Sequence, residues 1–140
     1  MDVIYLTVDG VIELHTFALE NGGGLDGIRS QQQLASAVRQ AEQSAFSEDA
    51  YQTIPEKAAA YGFFIAEGQP FVDGNKRTAL LALETFLEAN GYELVEDDDS
   101  IAQIFEDLGL HVIDQSEFFG WVVNHAHPKR ESKVVEIRRE

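Results

Sequence analysis

The stretch Gly68-Gln69-Pro70-Phe71-Val72-Asp73-Gly74-Asn75-Lys76-Arg77-Thr78 concentrates the groups able to do chemistry in this 140-residue chain. It joins two apolar segments, so its polar groups sit where two buried helices converge. The start of a helix offers unpaired backbone N–H groups and the positive end of the dipole. Gly74 lets the backbone turn tightly and approach a ligand closely. Lys76 and Arg77 add full positive charges, which together make an anion site of the phosphate-binding kind. Asp73, three residues before Lys76, is a hard oxygen ligand able to hold Mg²⁺ between phosphates. Phe71 would plug the loop into the core. An ordinary turn entering a helix would also carry an acid there. It would not gain from Lys and Arg in the first turn, where they oppose the dipole.

Few other side chains compete. There is no cysteine, which excludes thiolate nucleophiles, disulfides and cysteine-ligated zinc. The histidines are His15, His111, His125 and His127. None has a spacing that places it at the motif stretch. His15 is expected to be a half-buried structural residue of the first helix. His125 and His127 are two apart and share no helical face. Glu67 belongs to the preceding helix and is expected to cap it or face solvent.

The elements that must position these groups are helical, with a period near 3.6 and short connections. Thr7 caps a helix running to about Asn21 with Val11, Leu14 and Ala18 on one face. Gly22, Gly23 and Gly24 end it. Ser30 with Gln33, and Thr53 with Glu56, form capping boxes for the next two helices. Residues 45–53 have no regular pattern. The helix ending at Gly68 is dense in alanine and aromatics. The fourth starts near Asn75 to Arg77, carries Ala79 to Leu83 and Phe86-Leu87, and reads as the central helix. Tyr92 to Val95 is a short extended piece. A fifth helix follows Asp98 or Asp99, and a sixth runs from near Ser116 to Pro128. The expected fold is all-α, a compact bundle of about six helices over residues 1–128. A polar, flexible tail follows at 129–140.

The formal net charge is −15, from 25 acidic and 10 basic residues. Five of the basic ones lie in the tail: Lys129, Arg130, Lys133, Arg138 and Arg139. The body keeps Arg29, Arg39, Lys57, Lys76 and Arg77 against all but three of the acids. Such a body repels a phosphate backbone, which excludes general DNA or RNA binding. No apolar run approaches the roughly 18–20 residues that span a bilayer. The first residues lack the basic start of a secretion signal, so a cytoplasmic chain is expected.

Pro70-Phe71-Val72-Asp73-Gly74-Asn75-Lys76-Arg77-Thr78 between two buried helices resembles the signature of the Fic/Doc family, and most of all its Doc (death-on-curing) toxin branch. Leu6-Thr7, Leu14-His15, Gly27-Ile28-Arg29, Glu56-Lys57-Ala58-Ala59 and Asn90-Gly91-Tyr92 extend the resemblance over residues 4–125. It implies a helical fold, and transfer from ATP with Mg²⁺ to a protein hydroxyl. In the Doc branch a phosphate goes to a translation elongation factor; most Fic enzymes transfer AMP. Lys76, where AMP-transferring members usually carry glycine, and Leu80, where they carry a second arginine, favour the Doc branch. The resemblance assigns Asp73 to Mg²⁺, Gly74 and Asn75 to an anion nest, and Lys76 and Arg77 to phosphates. It also implies an antitoxin protein as partner.

The same resemblance puts the family's general-base histidine at Gln69. An amide can hydrogen-bond a hydroxyl but cannot accept its proton. Losing a positioned base costs about 10²–10⁴-fold. The expectation is a site that binds nucleotide and transfers poorly, through a change selected against toxicity or through decay into a non-catalytic binding module. Thr16-Phe17-Ala18-Leu19-Glu20-Asn21 resembles the inhibitory motif of some Fic proteins. That motif's glutamate pairs with the second arginine, replaced here by Leu80, so the segment reads as an ordinary helix end.

Overall fold

Five of the six helices among the described residues begin with a side-chain cap. The computed structural model describes residues 2–45 and 48–130. Thr7 is extended and its hydroxyl accepts Gly10 N–H at 3.0 Å, starting α1 (Val8–Gly22). Ser30 accepts Gln33 N–H and starts α2 (Gln31–Arg39), which closes in a short 3₁₀ turn, Gln40–Glu42. The reciprocal arm expected of Gln33 is not made; its amide instead donates to Gly68 O at 3.4 Å, tying α2 to the end of α3. Thr53 and Glu56 form a complete box at α3 (Ile54–Gly68), with Pro55 in the first turn. Asp97, one residue before the expected cap, starts α5 (Asp98–Gly109). Asp114 and Glu117 box the start of α6 (Gln115–His125). Only α4 (Asn75–Ala89) starts without a side-chain cap, at Gly74.

Small antiparallel pairs interrupt the helices. β1 (Ser44–Ala45) pairs β2 (Glu48–Asp49) at the start of the 45–53 segment expected to be irregular. β3 (Tyr92–Leu94) pairs β4 (Ala126–Pro128), with Glu93 opposite His127. The sixth helix therefore ends at His125 rather than at Pro128, because the chain straightens there to add a strand and bury Ala126.

The centre of the molecule is α3, not α4. It packs on α4 most extensively and also on α2, α5 and α6. Its Ala58, Ala59, Ala60 and Tyr61 are fully buried, and small residues let neighbouring backbones close in on several sides. α4 buries one face, Ala79, Ala82, Leu83, Phe86 and Leu87, and leaves Leu80 and Leu81 half-buried. Residues 129 and 130 of the expected tail are described and exposed; 131–140, with Lys133, Arg138 and Arg139, lie outside the described residues. Among the described residues no helix is long and apolar enough to cross a membrane.

Candidate functional site

The loop between α3 and α4 is fixed from three directions. Backbone bonds join it to the segment after α1: Arg29 N–H and Ser30 N–H donate to Pro70 O at 2.7 and 3.1 Å, and Val72 N–H donates to Gly27 O at 2.9 Å. Asn75 folds back on the loop, its Oδ1 accepting Phe71 N–H and its Nδ2 donating to Phe71 O, both at 2.9 Å. Phe71 is fully buried and stacks on His15, ring centres 3.8 Å apart and planes within 5°. His15 Nε2 lies 2.8 Å from Asp73 O. Two sequence expectations change here. His15 is buried, not half-buried, and it does reach the motif, because α1 packs along α4 and presents one face to the loop.

This loop floors a cavity of about 720 Å³ at the junction of α3, α4 and α5. Gln69, Asp73, Gly74, Asn75, Lys76 and Arg77 all line it. Gln69 is the C-cap of α3 in the left-handed region, φ 45° and ψ 57°, a conformation that strains a non-glycine residue and aims its side chain off the helix. Asp73 Oδ2 accepts Leu25 N–H at 3.0 Å, which leaves the carboxylate's other oxygen for a cation. Gly74 has φ 78°, as a left-handed N-cap requires, and a Cβ there would meet Leu19 at 3.2 Å. The first-turn N–H groups of α4 therefore open toward the cavity with no side chain capping them.

The two motif cations have different attachments. Arg77 donates from Nη1 to Ala18 O at 2.9 Å and from Nη2 to Gly23 O at 2.7 Å, so its guanidinium closes the C-terminal end of α1. A side chain at Gly22 would collide with it, which accounts for glycine there. Lys76 Nζ sits 3.7 Å from Glu106 Oε1, with both side chains about half exposed, and lies against Gly109 at the end of α5. Such an exposed pair is weak and leaves the ammonium able to turn to a ligand.

Among the other lining residues, Arg29, Glu67 and His111 are the polar side chains that went unrecognised as site groups in the sequence. Glu67 is exposed, as expected, and stands at the rim of this cavity. His111 lines the same cavity from the α5–α6 connection. Their signal is tertiary, since nothing in local spacing brings residues 29, 67 and 111 together. Among the described residues no group of three or more His, Asp or Glu forms a self-sufficient metal cage. Glu20 makes no ion pair or hydrogen bond among them, while Asn21 donates to Phe17 O, as at an ordinary helix end.

Residues 5–87 match the model of the Fic/DOC family, a span that takes in α1 to most of α4 and the whole motif loop. The chain belongs to the Fic/DOC family. It is 37% identical over 95 residues to Toxin Doc of Mycolicibacterium smegmatis, an alignment covering 68% of this chain and 71% of that protein. Its fold is similar to that of Fic-1 (residues 134–508) from C. elegans, with TM-score 0.65 and 22% identity. That likeness covers 86% of this chain and 40% of the other, and it speaks to fold alone.

Proposed function

We propose that the chain is a Doc-type toxin whose cavity binds ATP and Mg²⁺ for phosphate transfer to a protein hydroxyl, and that Gln69 leaves it deficient in transfer. The carrying observation is the convergence in one cavity of α4's uncapped N-terminus, Lys76 and the Asp73 carboxylate. The donor set fits Mg²⁺, which is commonly held by one or two carboxylates together with substrate phosphates and waters. A single half-engaged carboxylate beside an anion nest is that arrangement. On this reading Asp73 holds the cation, Gly74 and Asn75 shape the nest, and Lys76 swings to a phosphate. Arg77 adds charge from the fixed position that α1 gives it.

Transfer needs an acceptor for the hydroxyl proton. Family resemblance puts a histidine at position 69, and glutamine's amide cannot take the proton. Gln69 already lines the cavity, so Gln69→His would put an imidazole at its edge. The family also supplies the partners in this proposal: an antitoxin protein, and a translation elongation factor as target.

The test is Gln69→His in the full chain, with a candidate elongation factor and ATP labelled in turn at the γ and α phosphates. Labelling from γ by the variant, at least about 10²-fold above the chain as given, supports the kinase reading. Labelling from α selects AMP transfer instead. ATP–Mg²⁺ binding with no transfer by either protein identifies a nucleotide- or partner-binding module.

A further inference from the structure

His111 stands at an unusual place for its residue type. The last turn of α5 closes by the left-handed capping pattern usually assigned to glycine. Val112 N–H donates to Asp107 O at 2.9 Å and His111 N–H to Leu108 O at 3.1 Å, with His111 at φ 60°. Glycine or asparagine makes this turn with less strain. The apolar contact that often accompanies the pattern is missing, for Val112 is 66% exposed. The cap is thus built around a histidine that the helix end does not require. What that histidine does is line the nucleotide-sized cavity, across from the motif loop. The imidazole bonds among the described residues belong to His15 and His125, so the ring of His111 has no partner of its own there.

We infer that His111 is a ligand contact of this site, its ring N–H donating to a phosphate of the bound nucleotide. The inference rests on the nucleotide reading above. A hydrogen bond to a phosphate oxygen is charge-assisted and stronger than a neutral one. The charged groups that share its surroundings are Arg29, Glu67, Asp73, Lys76 and Arg77 around the cavity, with Glu106 on α5 paired to Lys76. Lys76 lies against Gly109, two residues before His111, and both side chains line the same cavity. His111 lies outside the 5–87 span that matches the family model.

The experiment is calorimetric titration of ATP–Mg²⁺ into the full chain and its His111→Asn and His111→Gly variants in one buffer. The chain as given should bind about three- to tenfold more tightly than His111→Gly, with His111→Asn, whose amide keeps a donor, between them. His111→Gly should unfold at no lower temperature than the parent, since glycine relieves the left-handed strain, so its weaker binding is not lost folding. Equal affinity of all three proteins overturns the inference and leaves the nucleotide reading standing. Absence of ATP binding in all three overturns both.

Discussion

Asn75 shows how a motif residue acts through the backbone. The sequence suggested a polar group shaping an anion nest. Its side chain instead pairs with both backbone groups of Phe71 at 2.9 Å, so it braces the motif loop from behind. Asn75→Ala leaves Phe71's N–H and C=O without partners in a part-buried place, a loss of about 2–3 kcal/mol. Asn75→Asp keeps the acceptor but turns an anion toward the Phe71 carbonyl, and should be at least as damaging. Urea denaturation of the three proteins checks the order; an Asn75→Asp variant as stable as the parent would remove this account. The residue types at the site were legible because Gly, Asn, Lys and Arg at a helix start have few other reasons to co-occur. The support beneath them was not. The stacking of His15 on Phe71 joins residues far apart in the chain, and no local periodicity encodes that contact.

At the scale of elements, the small β1–β2 hairpin is tethered to the central helix by one buried cation. Lys57 on α3 is 1% exposed, and its Nζ lies 2.9 Å from Asp49 Oδ2 on β2 and 5.4 Å from the centre of the Tyr5 ring. Burial alone would lower its pKa, but the bonds to Asp49 and Tyr5 outweigh that and hold it above 10.5. Removing either partner has unequal consequences. Asp49→Asn strands an ammonium in the interior, whereas Lys57→Met leaves Asp49, which is about half exposed, to water. Asp49→Asn should therefore destabilise by about 1–3 kcal/mol, discounted from a fully buried pair, and by more than Lys57→Met. Equilibrium unfolding ranks them, and the reverse order would show that the tether is not electrostatic. Caps made the helices legible, since Thr7, Ser30 and Thr53 each announce a start. Two-residue strands carry no alternation, and so both hairpin strands and the β4 strand after α6 were invisible. The centrality of α3 was hidden for a related reason: alanine looks unremarkable in a hydropathy pattern, yet allows the closest packing.

Over the whole molecule, alkaline stability combines two buried groups with the overall charge. Tyr61 is fully buried, and its hydroxyl accepts Leu6 N–H at 3.0 Å. Its pKa is pushed well up from 10.0, by burial first and then by Glu42 and Tyr5, despite the opposing bond from Leu6. Lys57 is raised as well. Both folded-state values exceed the unfolded ones, so the folded chain keeps its protons after the unfolded chain has lost them. The stability these groups contribute is then complete below about pH 10 and drains away as pH rises through the folded values. Each can tilt the stability curve by up to about 1.4 kcal/mol per pH unit in that window. The net charge of −15 pushes the same way, because every tyrosine or lysine that deprotonates increases self-repulsion. Salt separates the two causes: it screens repulsion between exposed charges but reaches buried groups far less. Urea titrations between about pH 8 and 11 should show falling stability above about pH 10 at low salt, and a shallower but persistent fall in about 0.5 M salt. Tyr61→Phe should start lower by about 1 kcal/mol, having lost the acceptor for Leu6, and then fall less steeply than the parent. A decline abolished by salt in the parent chain would assign alkaline unfolding to the acidic surface alone and take Tyr61 and Lys57 out of the explanation.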